Sequence, residues 1–529
     1  MHCHSSNNHF RWACLGIAAL IIAVLIAGCA APTTAPTQPS ASSATPVPIA
    51  PAGPPVLVAC DAEIQLRAMR PSQRPDWDAL GLAACYDLSL DLKPDSQSYT
   101  GTARVTFTNR TGSDLPDLIF RLYPNAQVIY DGVLDVTSAQ IGGKAVKPEI
   151  FLSDRTGLRL LLDQALPEGD TAVIEFAFEG LLPIDFGSGS AYGVFNYVGD
   201  EPLMALANWF PMLSVWRDGD WDATPVIGEG DAVVSEVALY RVRVSAPDDW
   251  KVVATGTQVR NSVTGESAQY EFVSGPARDF TVLASPSFET RESQAGEVRV
   301  VHWGLPDGEL SWEQVLKVAR DSIEVYTDRF GPYPYTELDV VAAPLNRASG
   351  VEYPGLVLID AGLYDDLGDW PFLNVTVAHE VAHQWWYGVV GNDVLNAPWQ
   401  DEALTTFSSL LYFETYDPQA YDTILGLFEQ QVSDFQGAQS DEPIAQPLAA
   451  FRGHGDAYSA IVYLKGALFF AALRKEIGDG AFFGALQEYY QSKRYTIALP
   501  DDLLDAFEDG CGCILDATYN EWGVTAPRQ

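Results

Sequence analysis

His379 and His383 stand four residues apart, with Glu380 beside the first, in the run His379-Glu380-Val381-Ala382-His383. On a helix of 3.6 residues per turn such positions share a face, so both imidazoles can grip one metal ion. After eighteen intervening residues comes Glu402, within Trp399-Gln400-Asp401-Glu402-Ala403, placed to add a third ligand from a second helix. Two His and one Glu leave one position of a tetrahedral zinc open for water, as a hydrolytic site requires. Glu380 can reach that water as a general base. A buried helix whose histidines merely pack would leave Glu380 and the Glu402 run unexplained. Beyond residue 28 the other histidines are His302 and His454; His454 has no spacing partner and reads as structural or substrate-facing.

These side chains need helices to position them. Residues 375–387 form the first, closed by Gly388 and Gly391, and residues 397–416 the second. Before them, 311–330 reads as a helix with Val315, Val318, Ile323 and Tyr326 on one side, stopped by Gly331-Pro332-Tyr333-Pro334. Residues 298–303 and 338–342 read as strands. Downstream, Tyr458 to Leu468 is an apolar helix with two tyrosines, Tyr458 and Tyr463. A tyrosine in such a helix is usually core, although a phenol can also stabilise an oxyanion without carrying charge.

The first half differs in periodicity. Ala103, Val105 and Phe107 alternate with Arg104, Thr106 and Thr108; Ala172, Ile174, Phe176 and Phe178 alternate with Val173, Glu175, Ala177 and Glu179; and Tyr240, Val242 and Val244 alternate with Arg241 and Arg243. Period two marks strands with one buried face, and the turn-rich spacing suggests an antiparallel sheet or sandwich. Residues 192–216 interrupt the alternation with Asn208-Trp209-Phe210-Pro211. They read either as a wall of the active-site cleft, with Glu201 projecting into it, or as a buried plug.

The chain of 529 residues carries 70 acidic against 31 basic side chains, a net charge of −39. That balance makes nucleic acid an unsuitable partner and reads as a solvated acidic surface. Arg11 precedes an apolar run, Leu15 to Ala27, too short for an ordinary membrane span, which ends Ile26-Ala27-Gly28-Cys29. This end resembles the lipobox of bacterial lipoproteins and implies cleavage before Cys29, acylation of its thiol and an extracytoplasmic, lipid-anchored protein; an uncleaved anchor is the alternative. Residues 30–55, rich in Ala, Pro, Thr and Ser and without charge, read as a tether. Cys60, Cys85, Cys511 and Cys513 read as structural; they allow three pairings, of which Cys60 with Cys85 is one plausible disulfide.

Taken together, the HExxH motif, the glutamate nineteen residues after its second His, the element Ser349-Gly350-Val351-Glu352-Tyr353 about thirty residues upstream, and Tyr463-Leu464-Lys465-Gly466 downstream resemble the M1 (gluzincin) aminopeptidases. The resemblance covers about residues 80–529 and is strongest in the second half. It implies an α+β multidomain chain: signal peptide 1–28, tether 29–57, saddle-like antiparallel β domain 58–285, and a mainly α, thermolysin-like zinc peptidase domain 286–529. It implies one Zn²⁺ per chain on His379, His383 and Glu402, Glu380 as base, and Tyr463 as oxyanion donor. Glu352 would hold the substrate's α-amino group, with Gly350 and Tyr458 also facing substrate. Val351 and Tyr353 depart from the family's Gly-x-Met-Glu-Asn motif, which leaves exopeptidase strictness open. The chain runs only about sixty residues past Gly466, too few for the family's C-terminal helical domain, so a more open cleft is expected. Peptides are the expected substrates. A zinc endopeptidase acting on extracellular proteins and a catalytically inactive, lipid-anchored binding protein are the alternatives; epoxide hydrolysis has no supporting feature.

Overall fold

The computed structural model describes residues 62–74, 80, 84–189, 192–231, 233–365, 372–439 and 441–525. The leader, Cys29, the tether and Cys60 lie outside the described residues.

Alternating side chains build an eight-stranded sheet in the first half. Its centre is Ala84–Lys93, Ser98–Thr108 and Thr171–Leu181, with Ala238–Pro247 on the other side of Ala84–Lys93. Leu88, Val105, Ile174 and Val242 point from it into the core. Pairing is antiparallel except that Ala84–Lys93 runs parallel to Ala238–Pro247, bringing Tyr86 opposite Tyr240. Burial alternation is the same for either strand direction, so period two alone carries no direction. Two four-stranded sheets and the two-stranded pair Trp216–Arg217 with Asp220–Trp221 also belong to this half. The interrupting segment is a plug: Trp209 and Phe210 are fully buried, and Tyr99 donates to the Trp209 carbonyl at 2.7 Å. Its edges nonetheless reach the cleft, because Tyr192, Val194 and Asn208 line a cavity there, whereas Glu201 sits at a turn between two short strands.

The second half opens on a five-stranded mixed sheet in the order Glu289–Ala295, Val298–Gly304, Glu337–Ala343, Leu356–Asp360 and Gly350–Val351. Gly350–Val351 is therefore an edge strand. Helix α1 (Trp312–Phe330) buries Val315, Val318, Ile323 and Tyr326, the periodic face expected of it. Helices α2 (Phe372–Ala382) and α3 (Trp399–Tyr416) follow, and α4 (Gly466–Ile477) continues a π-helical turn at Ser459–Lys465. The segment Gly455–Ile477 is apolar enough by composition to cross a membrane, but 67% of its most apolar window is buried inside the protein, so its apolarity is that of a core helix. Cys511 and Cys513 form a disulfide, and Cys85 is bonded to a cysteine outside the described residues.

Candidate metal centre and active site

Helix α2 ends at Ala382, five residues short of the span expected from the sequence. Tyr387 has a φ of 130°, which no helix tolerates, and the Gly388 N–H turns back onto the His383 carbonyl at 2.9 Å. His383 nevertheless stays in register, because its N–H still reaches the His379 carbonyl at 3.2 Å. The two Nε2 atoms face each other at 3.1 Å, and Glu402 Oε2, delivered by the first turn of α3, lies 3.3 Å from each. His379, His383 and Glu402 thus present ligand atoms within 4.8 Å of one another.

The donor set fits a zinc ion. His383 Nδ1 is 2.9 Å from the Trp386 carbonyl, the geometry of an N–H donated to it, so Nε2 is the nitrogen that would meet a metal. Glu402 Oε2 is buried and makes no hydrogen bond with good geometry to any described residue. A buried carboxylate oxygen left this way needs a cation. Burial opposes ionisation of Glu402, yet the two histidines hold its carboxyl well below the usual range. Burial also opposes charge on His383, but Glu402 raises its imidazole to about 10; on His379 burial prevails and the shift is downward.

Glu380 lies against this triad. Its Oε2 has no hydrogen-bond partner among the described residues, and burial, with Glu402 and Asp231 adding repulsion, pushes its carboxyl up to about 8 despite His383. Gly350 is what leaves it room: a Cβ there would sit 2.4 Å from Glu380 Oε1. Glu352, Glu380 and His383 also place ligand atoms within 4.8 Å of one another. The loop carrying Glu352 is tied to the end of α2 by Gln384, whose side chain accepts from Gly355 N–H at 2.7 Å and donates to the Tyr353 carbonyl at 3.0 Å. Sequence reasoning missed Gln384, although a polar residue next to His383 in an apolar run was a signal.

Tyr463 projects from the π-helical turn. Its ring stacks on His379 with centroids 5.9 Å apart, and its hydroxyl donates to Glu402 Oε1 at 2.5 Å. Gly466 permits this, since a Cβ there would lie 2.3 Å from the Ala403 Cβ of α3. Tyr458 packs edge-on against Tyr463 at 5.4 Å and touches Gly230 of the first half. His454, by contrast, is exposed at the start of the short helix Gly455–Tyr458.

The residue that sequence reasoning passed over entirely is Asp231. Its carboxyl engages that of Glu352, and it lies close enough to Glu402, His383 and His379 to feel their charge. Burial first, then the Asp231 charge, holds Glu352 well above the usual carboxyl range. A lone acid in Gly228-Glu229-Gly230-Asp231, about 120 residues before Glu352, offers no local spacing to read.

Two histidines, a glutamate on the next helix and, alongside, a glutamate with one oxygen lacking a hydrogen-bond partner among the described residues form the residue set of a hydrolytic zinc site. Residues 314–522 match the family model described as Peptidase family M1 domain. Aminopeptidase M1 of Arabidopsis thaliana is 22% identical over 454 residues, covering 83% of this chain and 49% of that protein. Aminopeptidase M1-C of Oryza sativa subsp. japonica is 29% identical over 439 residues, covering 81% and 48%. The chain spans about half the length of these curated relatives. The M1 zinc metallopeptidase from Deinococcus radiodurans shares the fold, with a TM-score of 0.63 and 21% identity over 84% of this chain and 95% of that one.

Proposed function

We propose that the protein is a zinc-dependent aminopeptidase that removes N-terminal residues from peptides. The observation that carries this reading is the closeness of Glu352 to the hydrolytic group, its ligand atom lying within 4.8 Å of those of Glu380 and His383. A carboxylate that holds an α-ammonium so near the reacting carbonyl leaves room for one residue on that side. An internal peptide segment has no ammonium to offer there and would meet Glu352 and Asp231 unpaired. The curated relatives named above are aminopeptidases, and the Deinococcus radiodurans enzyme has been captured with a Tyr-Ser-Ala substrate.

His379, His383 and Glu402 would hold the zinc, which supplies Lewis acidity toward water and carbonyl when bound. Glu380 takes the proton of the attacking water and returns it to the leaving amine. Tyr463 donates to the oxyanion, exchanging its bond to Glu402 for one to the substrate. Glu352, with Asp231 behind it, sets the register by binding the ammonium.

The test compares aminoacyl p-nitroanilides with their N-acetylated forms, with and without 1,10-phenanthroline. Free substrates should be cleaved only without chelator, and N-acetylated ones hardly at all. Equal cleavage of both forms would replace this reading with the endopeptidase alternative. We further propose that the mature chain is anchored to the bacterial cell envelope through lipid on Cys29, facing out of the cytoplasm. Fatty-acid labelling that is lost in Cys29→Ser is the expected result, and equal labelling of both proteins would overturn it.

A further inference from the structure

Glu352 also forms part of the wall of a cavity between the two halves, with about 490 Å³ of space counted to its open mouth. Its described lining contains three carboxylates, Asp231, Asp279 and Glu352, several tyrosines, and no lysine, arginine or histidine. Asp231 and Glu352 engage each other. Asp279 is different. It is 1% exposed, one carboxylate oxygen accepts from the Tyr387 hydroxyl, and the other, Oδ1, has no hydrogen-bond partner among the described residues.

The cation nearest in sequence, Arg278, is close enough for its charge to favour the ionised Asp279, but its hydrogen bonds go elsewhere. Arg278 donates to the carbonyls of Ser235 at 3.0 Å, Tyr387 at 2.6 Å and Thr496 at 2.6 Å, and the guanidinium is spent on this backbone. Arg347 lies over the Tyr192 ring at 5.3 Å and donates to the Gly228 carbonyl at 3.3 Å. A buried carboxylate oxygen in a cavity wall, among aromatic faces that themselves attract cations, is matched by a long, positively charged side chain.

We propose that this cavity receives the side chain of the peptide's first residue and that Asp279 makes it select lysine or arginine. The proposal rests on the aminopeptidase reading. Glu352 and Asp231 hold the α-ammonium, the aliphatic stem runs past the tyrosines, and the terminal cation meets Asp279 Oδ1. Leucine or methionine fits the same walls but leaves Asp279 unpaired.

The test uses the zinc-loaded full chain and p-nitroanilides of arginine, lysine, leucine, methionine and alanine. The expected kcat/KM for arginine or lysine exceeds that for leucine by about 10-fold or more, and Asp279→Asn lowers this ratio by about 10- to 100-fold. A wild-type enzyme that prefers leucine, or an arginine-to-leucine ratio unmoved in Asp279→Asn, overturns the proposal while leaving the aminopeptidase reading in place. Failure to cleave any free aminoacyl substrate sinks both. Binding to the Glu380→Gln protein provides a measurement that does not depend on how Asp279→Asn folds. Arginine amide should raise its melting temperature more than norleucine amide does, and an equal rise would overturn the proposal.

Discussion

The Tyr463 hydroxyl donates to Glu402 Oε1 at 2.5 Å, while the other oxygen of the same carboxylate faces both His379 and His383 at 3.3 Å. One carboxylate thus joins the metal triad to the phenol that would stabilise the oxyanion. Tyr463→Phe removes only the hydroxyl and keeps the ring stacked on His379. Turnover should fall by about 10²- to 10³-fold with zinc content unchanged, measured by steady-state kinetics and elemental analysis on the same preparation.

Glu380→Gln keeps shape and volume but removes the base. Zinc content should match wild type, and kcat should drop by about 10²- to 10⁴-fold. Substantial activity in a metal-replete variant would assign proton transfer to another group.

Gly350→Ala tests the space granted to that base. The added methyl would start 2.4 Å from Glu380 Oε1, so the carboxylate must move. A displacement near 1 Å costs about 10²-fold in rate, and zinc content should be unchanged. If Gly350→Ala turns over at the wild-type rate, the close approach of Gly350 to Glu380 has no catalytic consequence.

Two buried groups give opposite pH dependences of stability. Burial pushes Asp279 up to about 7 from 3.8, despite the Tyr387 hydrogen bond and Arg278. The folded chain then holds a proton that the unfolded chain has released. Its stabilising contribution is complete below about pH 4 and is lost as pH rises toward 7, by at most about 1.4 kcal/mol per pH unit. His302, whose Nε2 lies 2.9 Å from the Tyr364 hydroxyl, is pushed down to about 3 from 6.5 by burial, with Arg291 adding to it. It stays neutral while the unfolded chain protonates, so its contribution is lost as pH falls from 6.5 toward 3. Melting temperatures across this range should lose part of their neutral-side decline in Asp279→Asn and part of their acid-side decline in His302→Gln. Parallel curves for wild type and both variants would refute the assignment.

The meeting of His379, His383 and Glu402 was legible because a helix turns chain spacing into a shared face, and the three side chains lie where that arithmetic puts them. The end of α2 was not, since it depends on a positive φ at Tyr387, an aromatic residue with no turn signal of its own. The π-helical turn under Tyr463 follows from close packing of Gly466 on Ala403, a contact between distant segments. Asp231 and Asp279 escaped for the same reason: both arrive from the strand-rich half, and no periodicity links them to Glu352. The parallel pairing of Tyr86 with Tyr240 was hidden because alternation is blind to strand direction.

Arg278 has a mechanical consequence. Its guanidinium clasps carbonyls from the first half (Ser235), from the turn after the zinc helix (Tyr387, Val389) and from near the C-terminus (Thr496). Swinging the halves apart would tear a buried charge from those oxygens, at a cost of several kcal/mol. The two halves are therefore riveted to one another at this point rather than free to hinge about it.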